Sequence, residues 1–282
     1  NKPLYFTQSV ATGNLSAQTN QGPFCVAIGS LAGAGLQNTG AVAIGYLSGR
    51  TGQGTYSVAI GYQAGNNSQL DSSVAIGYNS GFANQGIQST AVGSLAGQFS
   101  QGNIAVAVGA QAGQYSQNEF SVAIGYCAGL TQQGTGSIAI GSASALYNQG
   151  QYAIALGYDS ASTGQGNYSI AIGLSAGALG QGSDCIAIGD DAGYINQGRN
   201  AIAIGPASGQ WTQGPYSVAI GYQAGIRNQA TGSIVINATS SSLFGTGFTG
   251  ACYSKPIRSD NTRSLMRSST TSARERIHTR QP

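Results

Sequence analysis

Every sixteenth residue is a glycine along most of this chain. The glycine falls at 14 successive positions without a slip: 13, 29, 45, 61, 77, 93, 109, 125, 141, 157, 173, 189, 205 and 221. A fifteenth copy, Ile234–Asn237, has asparagine where the glycine is due. A unit of this size cannot bury its own apolar face and must stack on its neighbours, so the period predicts a solenoid.

Counting from that glycine as position zero, the repeat divides into columns. Positions −3 and −1 are almost always Val or Ile, and position −2 is alanine in all 14 glycine-containing copies. This period of two predicts a β-strand, with Val and Ile on one face and alanine on the other. We expect Val and Ile to form the core, against the Ala or Ser at position +3.

After the glycine, a second glycine usually follows at +4, and glutamine occupies +8 in every copy. Each coil therefore reads as a strand, a glycine turn, a short small-residue strand and a Gln-Gly loop. So many glycines exclude helix, because each costs roughly 1 kcal/mol relative to alanine. Stacked at about 4.8 Å per coil, 14 coils give a rod roughly 65–70 Å long.

The alanine column predicts lateral association of identical rods, because a face kept uniformly small suits close approach of another surface. The alternative is that alanine only tolerates a crowded interior. The interface candidates are Ala27, Ala43, Ala59, Ala75, Ala123, Ala139, Ala171 and Ala203.

Two further columns have candidate roles. Glutamine at +8 can form an amide ladder along the rod, or it can cap its own turn; the ladder candidates are Gln53, Gln85, Gln101, Gln133, Gln165 and Gln197. Tyrosine at +1 can stack on sugar rings of a receptor, although mutual stacking is the preferred explanation. The receptor-contact candidates are Tyr46, Tyr62, Tyr78, Tyr126, Tyr158 and Tyr222, with a second aromatic column at −5 that holds Phe24, Tyr56, Phe120, Tyr152, Tyr168 and Tyr216.

Residues for catalysis are scarce. His278 is the single histidine, and among the eight carboxylates only Asp190 and Asp191 are adjacent. Neighbours on a strand point to opposite faces, so this pair is at best a weak cation site. Cys25 and Cys185 lie ten coils apart and cannot pair, and no zinc spacing is present. We predict no enzyme activity, no cofactor and no metal.

Three regions are expected: a lead-in over 1–8, the repeat over 9–237, and an exit with a basic tail over 238–282. Residues 1–250 hold 4 Lys or Arg and 6 Asp or Glu, whereas residues 251–282 hold 7 and 2. The tail is interpreted as a solvated arm that docks onto a larger particle or capsid, and nucleic acid is the less favoured partner. No apolar run is long enough for a membrane-spanning helix.

The segment Ser57-Val-Ala-Ile-Gly61, followed by Ala64-Gly65, resembles the head repeats of YadA-like trimeric adhesins. The resemblance covers residues 9–237 and implies a left-handed parallel β-roll that assembles as a homotrimer. The 16-residue unit with its Asn/Gln-Gly loop, as in Ala83-Asn-Gln-Gly86 and Ile195-Asn-Gln-Gly198, departs from the shorter bacterial unit. That variant, and the exit from Ser233 to Ala238 and on to Arg258, resembles repeat proteins of large double-stranded DNA viruses of protists and algae. After Arg258 the similarity fades.

The function predicted from the sequence is structural: a trimeric fibre or spike segment on the surface of a virus-like particle, extracellular, serving attachment to a host glycan or protein. The alternative is a bacterial-type trimeric adhesin head. An ice-binding solenoid is a third possibility, but it predicts a Thr-rich column and none is present.

Overall fold

The computed structural model describes residues 8–256 and shows an all-β parallel solenoid with no helix in that range. Each strand of the repeat pairs in parallel with its equivalent in the next coil, as Ala107 does with Ala123 and Ala123 with Ala139. The predicted fold class and coil length are therefore confirmed. The handedness and the trimer remain predictions that follow from the resemblance.

Sheet A contains the Val-Ala-Ile segments and has sixteen strands. They are β1 (Val10–Thr12), β2 (Val26–Ile28), β3 (Val42–Ile44), β5 (Val58–Ile60), β7 (Val74–Ile76), β9 (Thr90–Val92), β11 (Val106–Val108), β13 (Val122–Ile124), β15 (Ile138–Ile140), β17 (Ile154–Leu156), β19 (Ile170–Ile172), β21 (Ile186–Ile188), β23 (Ile202–Ile204), β25 (Val218–Gly221), β27 (Ile234–Asn237) and β28 (Cys252–Lys255).

Sheet B has twelve strands and contains the glutamine column. They are β4 (Thr51–Gln53), β6 (Asn67–Gln69), β8 (Ala83–Gln85), β10 (Phe99–Gln101), β12 (Tyr115–Gln117), β14 (Thr131–Gln133), β16 (Tyr147–Gln149), β18 (Thr163–Gln165), β20 (Leu179–Gln181), β22 (Ile195–Gln197), β24 (Trp211–Gln213) and β26 (Arg227–Gln229). In the coils from Gly45 to Gly221 the second strand thus spans positions +6 to +8, and in the two coils before them only Gln21 and Gln37 form isolated bridges. The prediction that it would be the small-residue segment near +3 is wrong, because that segment forms the turn between the sheets.

Residues with positive φ shape the cross-section of each coil. In the coil of Gly125 they are Phe120 (φ 59°), Gly125 (φ 128°), Cys127 (φ 54°), Gly129 (φ 54°) and Gln132 (φ 54°). Left-handed residues cost roughly 1–2 kcal/mol each when they are not glycine. Stacking against two neighbouring coils therefore has to stabilise these corners.

Close backbone approach explains why position zero is glycine in 14 successive copies. A Cβ atom on Gly125 would lie 2.5 Å from the carbonyl oxygen of Gly141 in the next coil. Position +4 is less restricted, since Ala17, Ala145 and Ala161 occupy it with φ values of 46–48°.

Sheet A continues past the end of the repeat. Strand β28 pairs with β27 in parallel, with Ile234 opposite Cys252, so this last coil is slightly longer than the regular repeat. Leu243 of the intervening segment packs against Ala224 and Val235. Part of the segment from 238 onward, which the sequence placed outside the repeat, thus adds a final strand. The lead-in over 1–7 and the tail beyond 256, including His278, lie outside the described residues.

Candidate assembly and binding surfaces

The alanine column lies inside the coil, not on its surface. Every alanine at position −2 from Ala27 to Ala219 is fully buried within the single chain. These methyl groups pack against alanines at +3, or at +4 in the coils of Ala145 and Ala161, so an alanine cluster runs without a break from Ala91 to Ala203. The prediction that this column contacts another rod is wrong for all eight candidates: Ala27, Ala43, Ala59, Ala75, Ala123, Ala139, Ala171 and Ala203.

The alanines are enclosed within the single chain because the coil is narrow. A Cβ on Gly129 would already lie 3.4 Å from the Cβ of Ala123 across the interior. Such a narrow space holds methyl groups in the coils from Ala27 to Ala219, and the only larger residue buried at −2 is Val235, in the longer last coil. The alternative stated above, that alanine fits a crowded interior, is the one that the structure supports.

The Val and Ile side chains at −3 and −1 consequently point outward from sheet A, and we call these two columns the assembly face. They are half-buried or exposed, with Ile76 at 37%, Ile124 at 38% and Leu156 at 41% exposure. The assembly face extends along the whole rod, a length of roughly 65 Å at strand spacing. Soluble monomers rarely expose an apolar patch larger than about 300–600 Å².

The glutamine column lies in the interior and makes both kinds of predicted contact. Nine of the twelve largest fully buried side chains are glutamines. Each Nε2 from Gln37 to Gln229 donates to the carbonyl of the −3 residue of its own coil, as Gln53 does to Val42 at 2.7 Å. These bonds fix the glutamine across its own coil, as the capping interpretation predicted.

The amide ladder forms over part of the rod. A continuous series of Nε2 to Oε1 bonds, each 3.1 Å long, joins Gln149 through Gln213. Gln101 also donates to Gln117 at 3.1 Å. Of the six ladder candidates, Gln101, Gln165 and Gln197 therefore participate, whereas the Oε1 atoms of Gln53, Gln85 and Gln133 are buried without a partner.

The tyrosines at +1 are exposed, and three of them stack. Tyr46 and Tyr62 have ring centroids 5.4 Å apart, and Tyr62 and Tyr78 have centroids 5.2 Å apart. Tyr126, Tyr158 and Tyr222 are exposed by 59%, 61% and 43%. Mutual stacking thus occurs where successive coils all carry tyrosine, and contact with a receptor stays a prediction.

The aromatic column at −5 is exposed as well. Tyr152 and Tyr168 stack with centroids 5.6 Å apart. Tyr216 lies beneath the guanidinium of Arg199, whose Cζ is 5.4 Å from the ring centroid. These residues all occupy left-handed corners.

Sheet B has an aromatic group that the sequence analysis did not identify. Phe99, Tyr115, Tyr147 and Trp211 occupy position +6 on its outer face, with Phe82 and Tyr194 one residue earlier in their coils. Phe99 stacks on Tyr115 at 5.7 Å and meets the ring of Phe82 edge-on at 5.9 Å. The column is visible in the sequence once residues are compared at +6, but Thr, Asn, Ala, Leu and Ile interrupt it.

A shallow pocket of about 330 Å³ lies at the C-terminal end of sheet B, between Trp211, Thr212, Arg227 and Asn228. Trp211 and Arg227 are register partners on β24 and β26. The indole Nε1 of Trp211 donates to Oε1 of Gln210 at 2.9 Å, and Nε2 of Gln210 donates to Oδ2 of Asp191 at 3.0 Å.

In the part of the chain that the structure describes, no group of three or more His, Cys, Asp or Glu side chains could hold a metal ion. Partial burial, and secondarily the charge of Asp190, raise the pKa of Asp191. Burial also raises the pKa of the Cys185 thiol. All four cysteines are free; Cys25, Cys127 and Cys185 are buried, and only Cys252 is exposed.

The family model for the YadA head domain repeat (2 copies) matches residues 53–80, 149–176 and 197–224. The chain is similar to the YadA head. All three matches begin at the interior glutamine column, at Gln53, Gln149 and Gln197, and end at position +3, so they follow the 16-residue period. The match supports a YadA-like β-roll head of structural, adhesin-like type. No curated protein matches the chain.

Residues 8–256 contain no helix able to cross a bilayer.

Proposed function

We propose that this chain is a non-enzymatic structural module in which three parallel rods pack their assembly faces together to form a stiff segment of an extracellular fibre. The observation that carries the proposal is the outward-facing pair of Val and Ile columns. A single chain leaves these β-branched residues partly in water along its entire length. Burying them between chains supplies the apolar contact that the alanine interior lacks.

The size of the assembly face supports a stable association. The face comprises two apolar side chains per coil, and those named above are 37–41% exposed. At about 60–120 Å² of buried surface for a whole aliphatic side chain, the rod as a whole presents on the order of 1,000 Å². Specific interfaces bury about 800 Å² per partner. Three-fold packing, with each face turned to a common axis, is the arrangement implied by the resemblance to trimeric adhesins.

Size-exclusion chromatography with light scattering tests this proposal. One chain has a mass of 28.3 kDa, and the trimer should elute with three times that mass. A species of single-chain mass at micromolar concentration would contradict the proposed assembly.

Two settings suit such a module, and different observations favour them. The match to the YadA head repeat favours the head of a bacterial-type adhesin. The 16-residue unit with its Asn/Gln-Gly loop favours a fibre or spike on a virus-like particle, which is the setting we propose. Capsid genes beside the coding gene would support the particle, whereas an outer-membrane anchor gene there would contradict it.

In either setting we propose attachment as the purpose, with the aromatic columns offered to a host glycan or protein. The basic residues beyond 256 are the proposed docking element for a larger particle. Deleting 259–282 should leave trimerisation and thermal stability unchanged while reducing incorporation into the particle. If the truncated chain fails to trimerise, the tail is an assembly element and the docking role is wrong.

A further inference from the structure

We infer that the pocket at the C-terminal end of sheet B is a binding site for a glycan with a carboxylated sugar. The inference deepens the proposed attachment function and rests on it. Four side chains from two adjacent strands line the pocket: Trp211 and Thr212 from β24, Arg227 and Asn228 from β26. Together they provide an aromatic face, a cation, an amide and a hydroxyl.

The indole of Trp211 is held in place before any ligand arrives. Its Nε1 donates to Gln210, whose own amide donates to Asp191. The ring of Tyr194 meets it edge-on, with centroids 5.9 Å apart. Trp211 is nevertheless 40% exposed. A fixed and accessible aromatic face suits the apolar face of a pyranose ring, and its rigidity lowers the entropy lost on binding.

The charge of the site comes from Arg227. It is the only charged residue in the twelve strands of sheet B, and it is exposed. A guanidinium binds a carboxylate through two parallel N–H···O hydrogen bonds. Asp191 already accepts a bond from Gln210, and it lies two coils from Arg227, about 10 Å along the rod.

The polar residues beside Arg227 complete the pattern expected for a sugar. Thr212 and Asn228 are exposed and occupy left-handed positions, with φ values of 55° and 48°. A hydroxyl and a carboxamide both donate and accept hydrogen bonds, as sugar hydroxyl groups require.

The observations favour a singly charged sugar over a nucleic acid. Residues 1–250 contain 4 basic and 6 acidic residues, so the rod as a whole repels a polyanion. One arginine beside one aromatic ring offers no track of phosphate contacts.

The site also remains available in the proposed trimer. Sheet B forms a different wall of the coil from the assembly face on sheet A. Three copies would give three sites at the same level of the fibre, and a multivalent surface would then bind with increased avidity.

The chain contains a single tryptophan and 15 tyrosines, so fluorescence excited at the red edge of the indole absorption band, where tyrosine does not absorb, reports on this pocket. The probe is 3′-sialyllactose, and its methyl ester serves as the uncharged control ligand. We expect a saturable fluorescence change with the acid and about tenfold weaker binding of the ester, since one charge-assisted contact is lost. Arg227→Gln should weaken binding of the acid about tenfold and leave binding of the ester unchanged.

Calorimetry extends the test to a variant without the indole. Trp211→Ala should abolish binding, whereas Tyr147→Ala, at the same column four coils away, should bind as the parent does. No saturable response to the acid at about 10 mM would overturn the inference. Equal binding by Trp211→Ala, or tighter binding of an oligothymidylate than of the acid, would do so too.

Light scattering on the same samples separates the two proposals. Binding of the sugar by a monomeric chain would contradict the proposed assembly and support this site. A trimer that does not bind the sugar would support the assembly and contradict the site.

Discussion

Placing the same pair of arginines at two adjacent columns distinguishes the interior of the rod from its assembly face. The interior pair is Ala123→Arg with Ala139→Arg, and the exterior pair is Ile124→Arg with Ile140→Arg. Ala123 pairs with Ala139 and Ile124 with Ile140 across the same two strands. The incoming side chain and the coils are therefore identical, and only the direction of the side chain differs.

The interior pair should prevent the central coils from folding. Ala123 and Ala139 are fully buried in the single chain. An unpaired guanidinium forced into this space costs several kcal/mol in desolvation, and overpacking adds about 1–3 kcal/mol at each site. Two such sites amount to on the order of 10 kcal/mol, which is comparable with the whole stability of a typical domain.

The exterior pair should cost far less within one chain. Ile124 is 38% exposed, so most of its surface is covered by its own chain. Full burial of an isoleucine contributes about 1.5–3 kcal/mol, so its loss costs about 1–2 kcal/mol, part of which the arginine stem restores. In a trimer, however, the pair would place six guanidinium groups in the apolar contact, and we expect assembly to be lost.

Far-ultraviolet circular dichroism, limited proteolysis and light scattering measure the two effects separately. The interior pair should lose β-structure and become sensitive to protease near residue 130. The exterior pair should no longer have the mass of a trimer. It should retain more β-structure and more resistance to protease than the interior pair. An interior variant that stays folded and loses only assembly would refute the reasoning, as would an exterior variant that remains a trimer.

Three further predictions follow from the interior of the rod. Gly125→Ala should lower the melting temperature sharply, because its Cβ would lie 2.5 Å from a backbone oxygen, whereas Gly129→Ala should cost only the left-handed penalty of about 1–2 kcal/mol, since alanine already occupies that column elsewhere. Gln181→Leu should lower the free energy of unfolding by about 2–4 kcal/mol, because three hydrogen bonds are lost. Gln85→Leu loses one hydrogen bond and should lower it less. Equal melting temperatures of the two variants would show that the amide ladder does not contribute to stability. A maleimide should label one thiol per native chain, at Cys252, and all four after denaturation; more than one in the native state would show that the buried cysteines are accessible.

The sequence predicts the architecture well because the 16-residue period arises from a steric constraint on the backbone. Glycine at position zero is required wherever two coils approach closely, and this requirement repeats at every step. Parallel pairing at an interval of one repeat follows without knowledge of any side-chain contact.

The direction of the side chains could not be predicted in the same way. Alternation shows that Ala123 and Ile124 lie on opposite faces of a strand, but it does not show which face is inside. The usual rule places the larger apolar residue in the core. Here the interior of the coil is so narrow that alanine occupies it from Ala27 to Ala219 while Val and Ile lie outside, and the rule is reversed.

The Trp211 pocket was missed for a related reason. Its residues are one repeat apart in sequence and belong to a column that varies from coil to coil, so the repeat obscures them. Their proximity appears only when β24 and β26 are paired. In a regular repeat, a pocket formed by residues that differ from coil to coil is therefore difficult to recognise from the sequence.

The reversed core gives the proposed fibre a physical basis. An interior of methyl groups and glutamine amides buries little apolar surface, and seven of the interior glutamines leave a buried Oε1 without a partner. Such an interior fixes the path of the backbone through hydrogen bonds, as Gln53 does with Val42, but it contributes little hydrophobic stabilisation. The larger side chains lie on the assembly face, where the proposed packing of rods would cover them. Under this proposal, formation of the coil and association of the rods are coupled, because the first would arrange the Val and Ile columns and the second would bury them.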